Sequence, residues 1–304
     1  MMTYERPLIL KGTIKKVLSQ TFPPDKILVV DNSETEDTQE LISSLNNPKI
    51  AYHRVGYNAG PAMAAKIGLQ KLAEEGYQWI YWGDDDDPPV FEDAFEQLFL
   101  AISENKNRRV GVVGAVGQYL NRISGNIRRV SNQDLKKESQ ISVDSIAGGM
   151  SMIVSAEVVK LGIFPEEKLF FGFEELDFCL KTKQAGFDLL VPSLLFLRSR
   201  EKYNRVNYKR PAYVVKEVSS LKRQYYSIRN ILWIYRAHRM YFAFLYQLLK
   251  NIFKSLYGFR YGISYGKLNF MMVGKGILHG LNHSKYKNGF GQLKDIYSEV
   301  EKVN

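Results

Sequence analysis

The segment Gly83-Asp84-Asp85-Asp86-Asp87-Pro88-Pro89, entered directly from the apolar run Trp79-Ile80-Tyr81-Trp82, constrains the fold more than any other part of the chain. Four adjacent carboxylates repel one another and suit a strand poorly, and two prolines forbid any regular element from continuing. The segment therefore reads as a rigid turn at the end of a buried strand. Oxygen ligands concentrated there suit a divalent cation that keeps positions open for phosphate oxygens. Residues two apart, Asp84 and Asp86, can face one ligand, while Asp85 between them faces elsewhere. An acidic run is more often only a solvated turn, but its place after a buried strand favours the cation site.

The preceding sequence alternates in the same way. Leu8 to Ser19 has helical spacing, with Pro7 at a first-turn position. Ile27-Leu28-Val29-Val30 is an apolar strand ending in Asp31-Asn32-Ser33, and Asp37 to Leu45 is a short helix. Ile50-Ala51-Tyr52 is a further strand, followed by a loop through Gly56, Asn58, Gly60 and Pro61 and a helix over Met63 to Glu75. Strands alternating with helices predict an α/β fold with a mostly parallel sheet, Rossmann-like, whose strand ends carry the ligand site.

Charge divides the 304 residues unevenly. Residues 1–197 carry 21 Lys and Arg against 27 Asp and Glu, and 198–304 carry 21 against 5. The expected division is an α/β domain over 1–215 and a basic, aromatic, helical extension over 216–304. A single cysteine, Cys179, rules out an internal disulfide, and four histidines give no Cys/His zinc spacing. The stretch Met240 to Phe259 is interrupted by Gln247, Lys250, Asn251 and Lys254, so it is not expected to span a bilayer, and no secretory leader pattern opens the chain.

A second constellation lies mid-chain. Gly148-Gly149 precedes Met150 to Val154, so backbone can approach a ligand before a strand resumes. Phe170-Phe171-Gly172-Phe173 leads into Glu174-Glu175-Leu176-Asp177, the predicted first turn of a helix. Carboxylates there complement the helix dipole. One of them can equally serve as a general base, its pKa raised by burial or lowered by the dipole.

These motifs, in this order, resemble family 2 glycosyltransferases of the GT-A fold. Thr3-Tyr4-Glu5-Arg6-Pro7, Val29-Val30-Asp31-Asn32-Ser33, Asn58-Ala59-Gly60, Asp84-Asp85-Asp86, Gly148-Gly149-Met150 and Phe173-Glu174-Glu175-Leu176-Asp177 carry the resemblance across about residues 3–200. Tyr225 to Asn230 and Gly276 to Leu281 look like the rhamnosyl- and galactofuranosyltransferase branch. The resemblance implies inverting transfer of a sugar from a nucleotide donor, of the UDP-galactofuranose or dTDP-rhamnose type, to a hydroxyl of a lipid-linked cell-surface glycan. Asp31 would recognise the base, Asp84 and Asp86 would hold Mg²⁺ or Mn²⁺, and Tyr4, Arg6, Asn58, Asp85 and Gly149 would line the donor. Glu175 would be the base, with Glu174 and Asp177 its rivals.

Three departures stand out. Only Met1 and Met2 precede Thr3, so the first strand is expected to be truncated, and Glu5 stands where relatives have Asn. No His follows Val191-Pro192, where relatives often place a metal ligand; Arg198 or Arg200 is available instead to neutralise phosphate. The aromatic and basic extension has two readings, an interfacial helix meeting anionic lipid or a helical appendage packed on the sheet. Nucleic acid is not an expected partner, since no recognition motif accompanies the cations. The expected location is cytoplasmic, peripheral on the inner face of the plasma membrane. The rivals to the transferase reading are a sugar nucleotidyltransferase and a non-catalytic, degenerate membrane- or sugar-binding protein.

Overall fold

The apolar runs of the first eighty residues form the expected elements: β1 (Met2–Thr3), α1 (Pro7–Leu18), β2 (Ile27–Asp31), α2 (Asp37–Leu45), β3 (Ile50–Arg54), α3 (Gly60–Glu74) and β4 (Trp79–Trp82). The computed structural model describes residues 1–148, 151–206 and 219–282. After β4 come α4 (Ala94–Ser103), β5 (Val110–Gly114), β6 (Gly117–Leu120), β7 (Ile127–Arg129), α5 (Asn132–Leu135), β8 (Gln140–Ser142), β9 (Ser145–Ile146) and β10 (Met152–Ser155). Then follow α6 (Ala156–Lys160), α7 (Glu174–Gln184), β11 (Asp188–Pro192), α8 (Ser193–Lys202), α9 (Ser219–Ala237), α10 (Tyr241–Tyr257) and α11 (Ile263–Leu281).

Two compact units result. The first comprises Met1–Tyr119, Arg128–Glu167 and Glu174–Tyr208; the second comprises Leu120–Ile127, Lys168–Phe173 and Lys209–Asn304. The second unit thus recruits two short segments from within 1–215, which no single cut in the sequence would separate.

In the first unit, β1, β2 and β3 are parallel, in the order β1-β2-β3. The larger sheet has the order β4-β10-β5-β11-β8 and is mixed: β11 runs parallel to β5, whereas β10 and β8 run antiparallel to their neighbours. β1 is only two residues long, yet it links the sheets, because Met2 bridges Asp84 in parallel and donates its N–H to the Gly83 carbonyl at 3.0 Å. Beside Met1 an apolar cavity of about 230 Å³ opens between Ile27-Leu28 of β2 and Trp79-Ile80-Tyr81 of β4. Every residue of β2 and of β5 is buried, as expected for strands covered on both faces. α1 presents Leu10, Thr13, Ile14 and Val17 inward, with Pro7 in its first turn and Lys15 and Lys16 where the dipole favours cations.

The second unit is helical. α11 crosses α9 closely: a Cβ on Gly276 would lie 3.1 Å from the Tyr225 carbonyl, and one on Gly280 the same distance from that of Arg229. Leu221, Tyr225 and Tyr226 of α9 pack with Leu268 and Met272 of α11 and with Phe170. Among the described residues no helix is long and apolar enough to cross a membrane.

Candidate active site

The C-terminal ends of β1, β2 and β4 deliver Thr3, Asp31 and the aspartate run to one end of the first unit's sheets, where open α/β sheets receive ligands. Asp85 has no exposed surface. Its carboxylate accepts the Thr3 hydroxyl at 2.7 Å and one arm of the Arg6 guanidinium at 2.5 Å, and its carbonyl accepts the Thr13 hydroxyl at 2.5 Å. The other arm of Arg6 reaches Asp86 at 2.5 Å. Asp85 is thus the internal anchor of the turn, and the Arg6 fork ties it to the half-exposed Asp86. Gly83 has a steric reason: a Cβ there would lie 2.3 Å from the Tyr81 ring.

The Arg6 guanidinium and the Met1 amino group, whose charge lowers Asp84, do not balance the cluster. Burial, reinforced by the charges of Asp86, Asp85 and Asp87, pushes the Asp84 carboxyl up to about 6. Asp87 is likewise pushed up to about 6 by burial and by Asp86. Among the described residues no group of three or more Asp, Glu, His or Cys gathers around one point. Magnesium-type cations, however, bind commonly through one or two carboxylates with phosphate oxygens completing the shell. Asp84 and Asp86 supply hard oxygen donors in a turn whose carboxylates outnumber its cations, so the donor set fits such an ion.

The acids of α7 separate clearly. Asp177 is fully buried and ion-paired to Lys181 at 2.6 Å one turn on, and Lys181 also donates to the Phe164 carbonyl at 3.1 Å. Glu174 is buried too, while Glu175 keeps partial exposure. The Glu175 carboxyl is raised well above the usual carboxylate range, first by desolvation and then by the charges of Glu174 and Asp84. Burial and like charge therefore raise it against the lowering effect of its own backbone N–H, and the direction that sequence alone leaves open is upward. Gly148 is the position that admits this side chain: a Cβ there would lie 2.5 Å from Glu175 Oε1. Gly149 and Met150 lie outside the described residues.

A family model described as "Glycosyl transferase family 2" matches residues 1–156. The chain belongs to glycosyl transferase family 2. Two curated relatives agree with that placement. A GalNAc(5)-diNAcBac-PP-undecaprenol beta-1,3-glucosyltransferase of Campylobacter jejuni is 26% identical over 144 residues, 46% of this chain and 43% of that one. Galactofuranosyltransferase GlfT1 of Mycolicibacterium smegmatis is 30% identical over 194 residues, 60% of this chain and 64% of that one. The chain thus spans less than two thirds of the length of either relative. Two crystal structures share the fold, which is the GT-A type. S. aureus TarS 1-349 has a TM-score of 0.51 at 14% identity, covering 92% of this chain and 79% of that one. GalNAc-T7 with UDP, GalNAc and Mn²⁺ has a TM-score of 0.52 at 16% identity, covering 84% and 56%.

The other candidate residues of this family 2 chain are placed as follows. Asp31 is fully buried at the end of β2, accepting the Tyr52 hydroxyl at 2.7 Å and the Ser33 N–H at 2.8 Å. Tyr4 is partly exposed beside the turn, its N–H bonded to Asp85. Asn58 accepts the Gly60 N–H at 3.2 Å and so shapes the entry to α3, where Gly60 has φ +79°. Glu5 takes the left-handed region at φ 54° and turns its carboxylate onto the next loop. Burial, the largest single effect, raises it, but the N–H of Glu34, the hydroxyl of Thr35 and the N–H of Thr35 together hold it below the usual range. Its charge is therefore spent on loop architecture.

Arg198 and Arg200 are committed elsewhere. Arg198 forms a two-armed pair with Asp93 at 2.6 and 3.1 Å, over the Phe91 ring, and Arg200 binds Asn132 and the Val130 carbonyl. Sequence reasoning missed Thr3, Thr13 and Tyr52, the groups that fix Asp85 and Asp31. Tyr52 had a usable signal: β2 and β3 are in parallel register, with Val29 opposite Tyr52 and Asp31 opposite Arg54, so its ring lies one alternation from Asp31 on the same face.

Proposed function

We propose that the chain is an inverting glycosyltransferase that moves a sugar from a nucleoside-diphosphate donor, of the UDP-galactofuranose or dTDP-rhamnose type, to a hydroxyl of a lipid-linked glycan in cell-surface polysaccharide assembly. The observation that carries this reading is the juxtaposition of a partly exposed, proton-avid Glu175 with the under-compensated Asp84–Asp87 turn. The names of the two curated relatives support the reaction class, and that of the Campylobacter jejuni relative supports a lipid-diphosphate acceptor.

Glu175 takes the proton of the acceptor hydroxyl as that oxygen bonds the anomeric carbon. The bond from that carbon to the β-phosphate oxygen breaks on the opposite face, and its electron pair leaves with the nucleoside diphosphate, so configuration inverts in one displacement. A divalent cation bound by Asp84 and Asp86 would supply positive charge toward that leaving diphosphate. Arg6 fixes Asp86 against Asp85, and Asp31 recognises the base, exchanging its bond from the Tyr52 hydroxyl for one from an imide N–H. Tyr4 and Asn58 line the donor.

A sugar nucleotidyltransferase would need a glycine-rich basic loop after β1 to grip a triphosphate; Glu5-Arg6-Pro7 stands there, with Glu5 turned away. A degenerate binding protein would retain donor affinity and lack turnover. The test incubates the full chain, with Mg²⁺ or Mn²⁺, with each donor and a polyprenyl-diphosphate-linked glycan, and follows product mass. A hexose-sized increase that vanishes in Asp86→Asn and in Glu175→Gln is expected. Donor binding without product from any of these pairs, or full turnover in Glu175→Gln, overturns the mechanism.

A further inference from the structure

In the second unit α10 is built inside out. Its buried stripe is Ala243, Gln247, Asn251 and Ser255, small or polar at every turn. Its outward face carries Phe242, Leu245, Tyr246, Leu249, Ile252, Phe253 and Leu256, all exposed, with Phe242 at 76% and Phe253 at 71%. These positions follow the 3–4 residue spacing of a single helical face. A helix packed in water buries the second set and exposes the first.

The buried polar stripe is satisfied internally. Gln247 donates to the Ser124 carbonyl at 3.0 Å, Asn251 to the Gln247 carbonyl at 2.8 Å, and Ser255 to the Ile252 carbonyl at 2.6 Å. From α11, Asn269 donates to the carbonyls of Lys254 and Ser255 at 3.1 and 2.9 Å, and Gln224 of α9 donates to Asn269 at 3.0 Å. Helices joined by amides and by glycine contacts such as Gly276 and Gly280, with hydrocarbon turned outward, follow the packing logic of helices whose surroundings are apolar. Among the described residues no helix is long and apolar enough to cross a bilayer, and this face is suited to lie in one leaflet.

Charge selects the occupant. Between residues 219 and 282 there are ten Lys and Arg and no Asp or Glu. Lys250 and Lys254 border the apolar face of α10, and Arg239, Arg260 and Lys267 are exposed at or beyond its ends. A second copy of this surface would bring cations against cations with no carboxylate on these helices to pair with. Anionic lipid headgroups complement it, and the lysine stems reach them from beside the apolar face.

We propose that the outward face of α10, centred on Phe242, Leu249 and Phe253, is a monotopic docking surface for an anionic bilayer. This deepens the location implied by a lipid-linked acceptor and rests on that reading only for its purpose. The docking itself is a property of the second unit.

The test is flotation of the full chain with vesicles of phosphatidylcholine alone or mixed with phosphatidylglycerol, at low and at high salt. Expected are at least tenfold tighter binding to the anionic vesicles, weakening with salt, and at least a tenfold loss in a Phe242→Gln, Leu249→Gln, Phe253→Gln triple variant. Those side chains are exposed, so the fold should survive, which a thermal melt checks. A dye on Leu249→Cys provides a second readout, with its emission shifting blue on the anionic vesicles. Wild-type binding by the triple variant, or no vesicle binding together with a dimer that this variant dissolves, overturns the proposal. Nucleoside-diphosphate binding, measured on the same samples, separates this outcome from failure of the transferase reading: docking without donor affinity sinks that reading alone.

Discussion

The first unit gathers like charges inside; the second turns hydrocarbon outside. Around β4 the protein packs Asp84, Asp85, Asp86 and Asp87 with the Arg6 guanidinium and the Met1 amino group nearby, and α7 brings Glu174 and Glu175 with them. On α10 it buries Gln247 and Asn251 and leaves Phe242 and Phe253 in the open. Each arrangement disfavours the isolated chain, through Coulomb repulsion in partly desolvated surroundings in one case and exposed apolar area in the other. The difference teaches what each surface is missing: positive charge and phosphate for the first, a low-dielectric, anionic layer for the second. Substitutions that remove one mismatch without touching the other sharpen this comparison.

The largest effect is expected at Glu175. Replacement by Gln removes the proton acceptor while keeping nearly the same shape, so the turnover number should fall on the order of 10²–10⁴-fold with donor affinity nearly unchanged. Calorimetry with the donor nucleotide and steady-state product formation, read together, check both halves. The wild-type rate should also rise with pH through the raised ionisation of Glu175, because only the carboxylate accepts a proton. A flat profile from pH 5 to 8 would contradict its role.

A structural change in the second unit ranks next. The Asn230 side chain, fully buried on α9, donates to the carbonyls of Leu169, Phe171 and Gly172 at 3.0, 2.9 and 2.8 Å, and Arg229 joins it at Lys168 and Leu169. The clamped strip includes Phe170 at φ 61° and Gly172 at φ 87°, and the chain then runs through Phe173 at φ 69° into Glu174. Asn230→Ala should cost about 2–4 kcal/mol in urea unfolding, since it removes three hydrogen bonds from a turn held in the left-handed region. A loss below about 0.5 kcal/mol would mean that the strip holds its shape unaided.

How much of this was readable in advance depended on sequence distance. The acidic turn, β2 ending in Asp31 and the acid-led start of α7 were legible because each is a local change of pattern, apolar to charged, over a few residues. The Arg6 fork on Asp85 and Asp86 was not, since it joins positions some eighty residues apart through the placement of β1 beside β4. Gly148 was read as room for a ligand, and it makes room for Glu175. The polarity inversion of α10 was hidden for a different reason. Its periodicity is that of any amphipathic helix, and periodicity does not say which face turns inward.

The Gly148 contact supports a smaller prediction. In Gly148→Ala the new methyl would meet Glu175 Oε1 at 2.5 Å, so the carboxylate must move by a few tenths of an ångström or more. A roughly tenfold fall in kcat/KM is expected, with stability changed by less than about 1 kcal/mol, because Gly148 itself is exposed. Unaltered kinetics would show that the acceptor does not require the present position of that carboxylate.

The smallest effect tests the charge mismatch directly, through stability and not turnover. Asp84 and Asp87 have folded-state values of about 6, above the value of about 4 expected in an unfolded chain. Between those values the folded protein binds more protons than the unfolded one, so stability falls as pH rises through the window and levels off above it. Asp84→Asn removes one such carboxylate. It should leave the melting temperature nearly unchanged near pH 4 and raise it by about 2–4 °C at pH 7.5. Millimolar Mn²⁺ should raise the melting temperature of the wild type at pH 7.5 and act less on the variant, because the ion binds the ionised pair that protons otherwise quiet. An Asp84→Asn protein less stable than wild type at pH 7.5 would mean that Arg6 and the surrounding dipoles already balance the turn. The cluster would then be a structural device and not a waiting site.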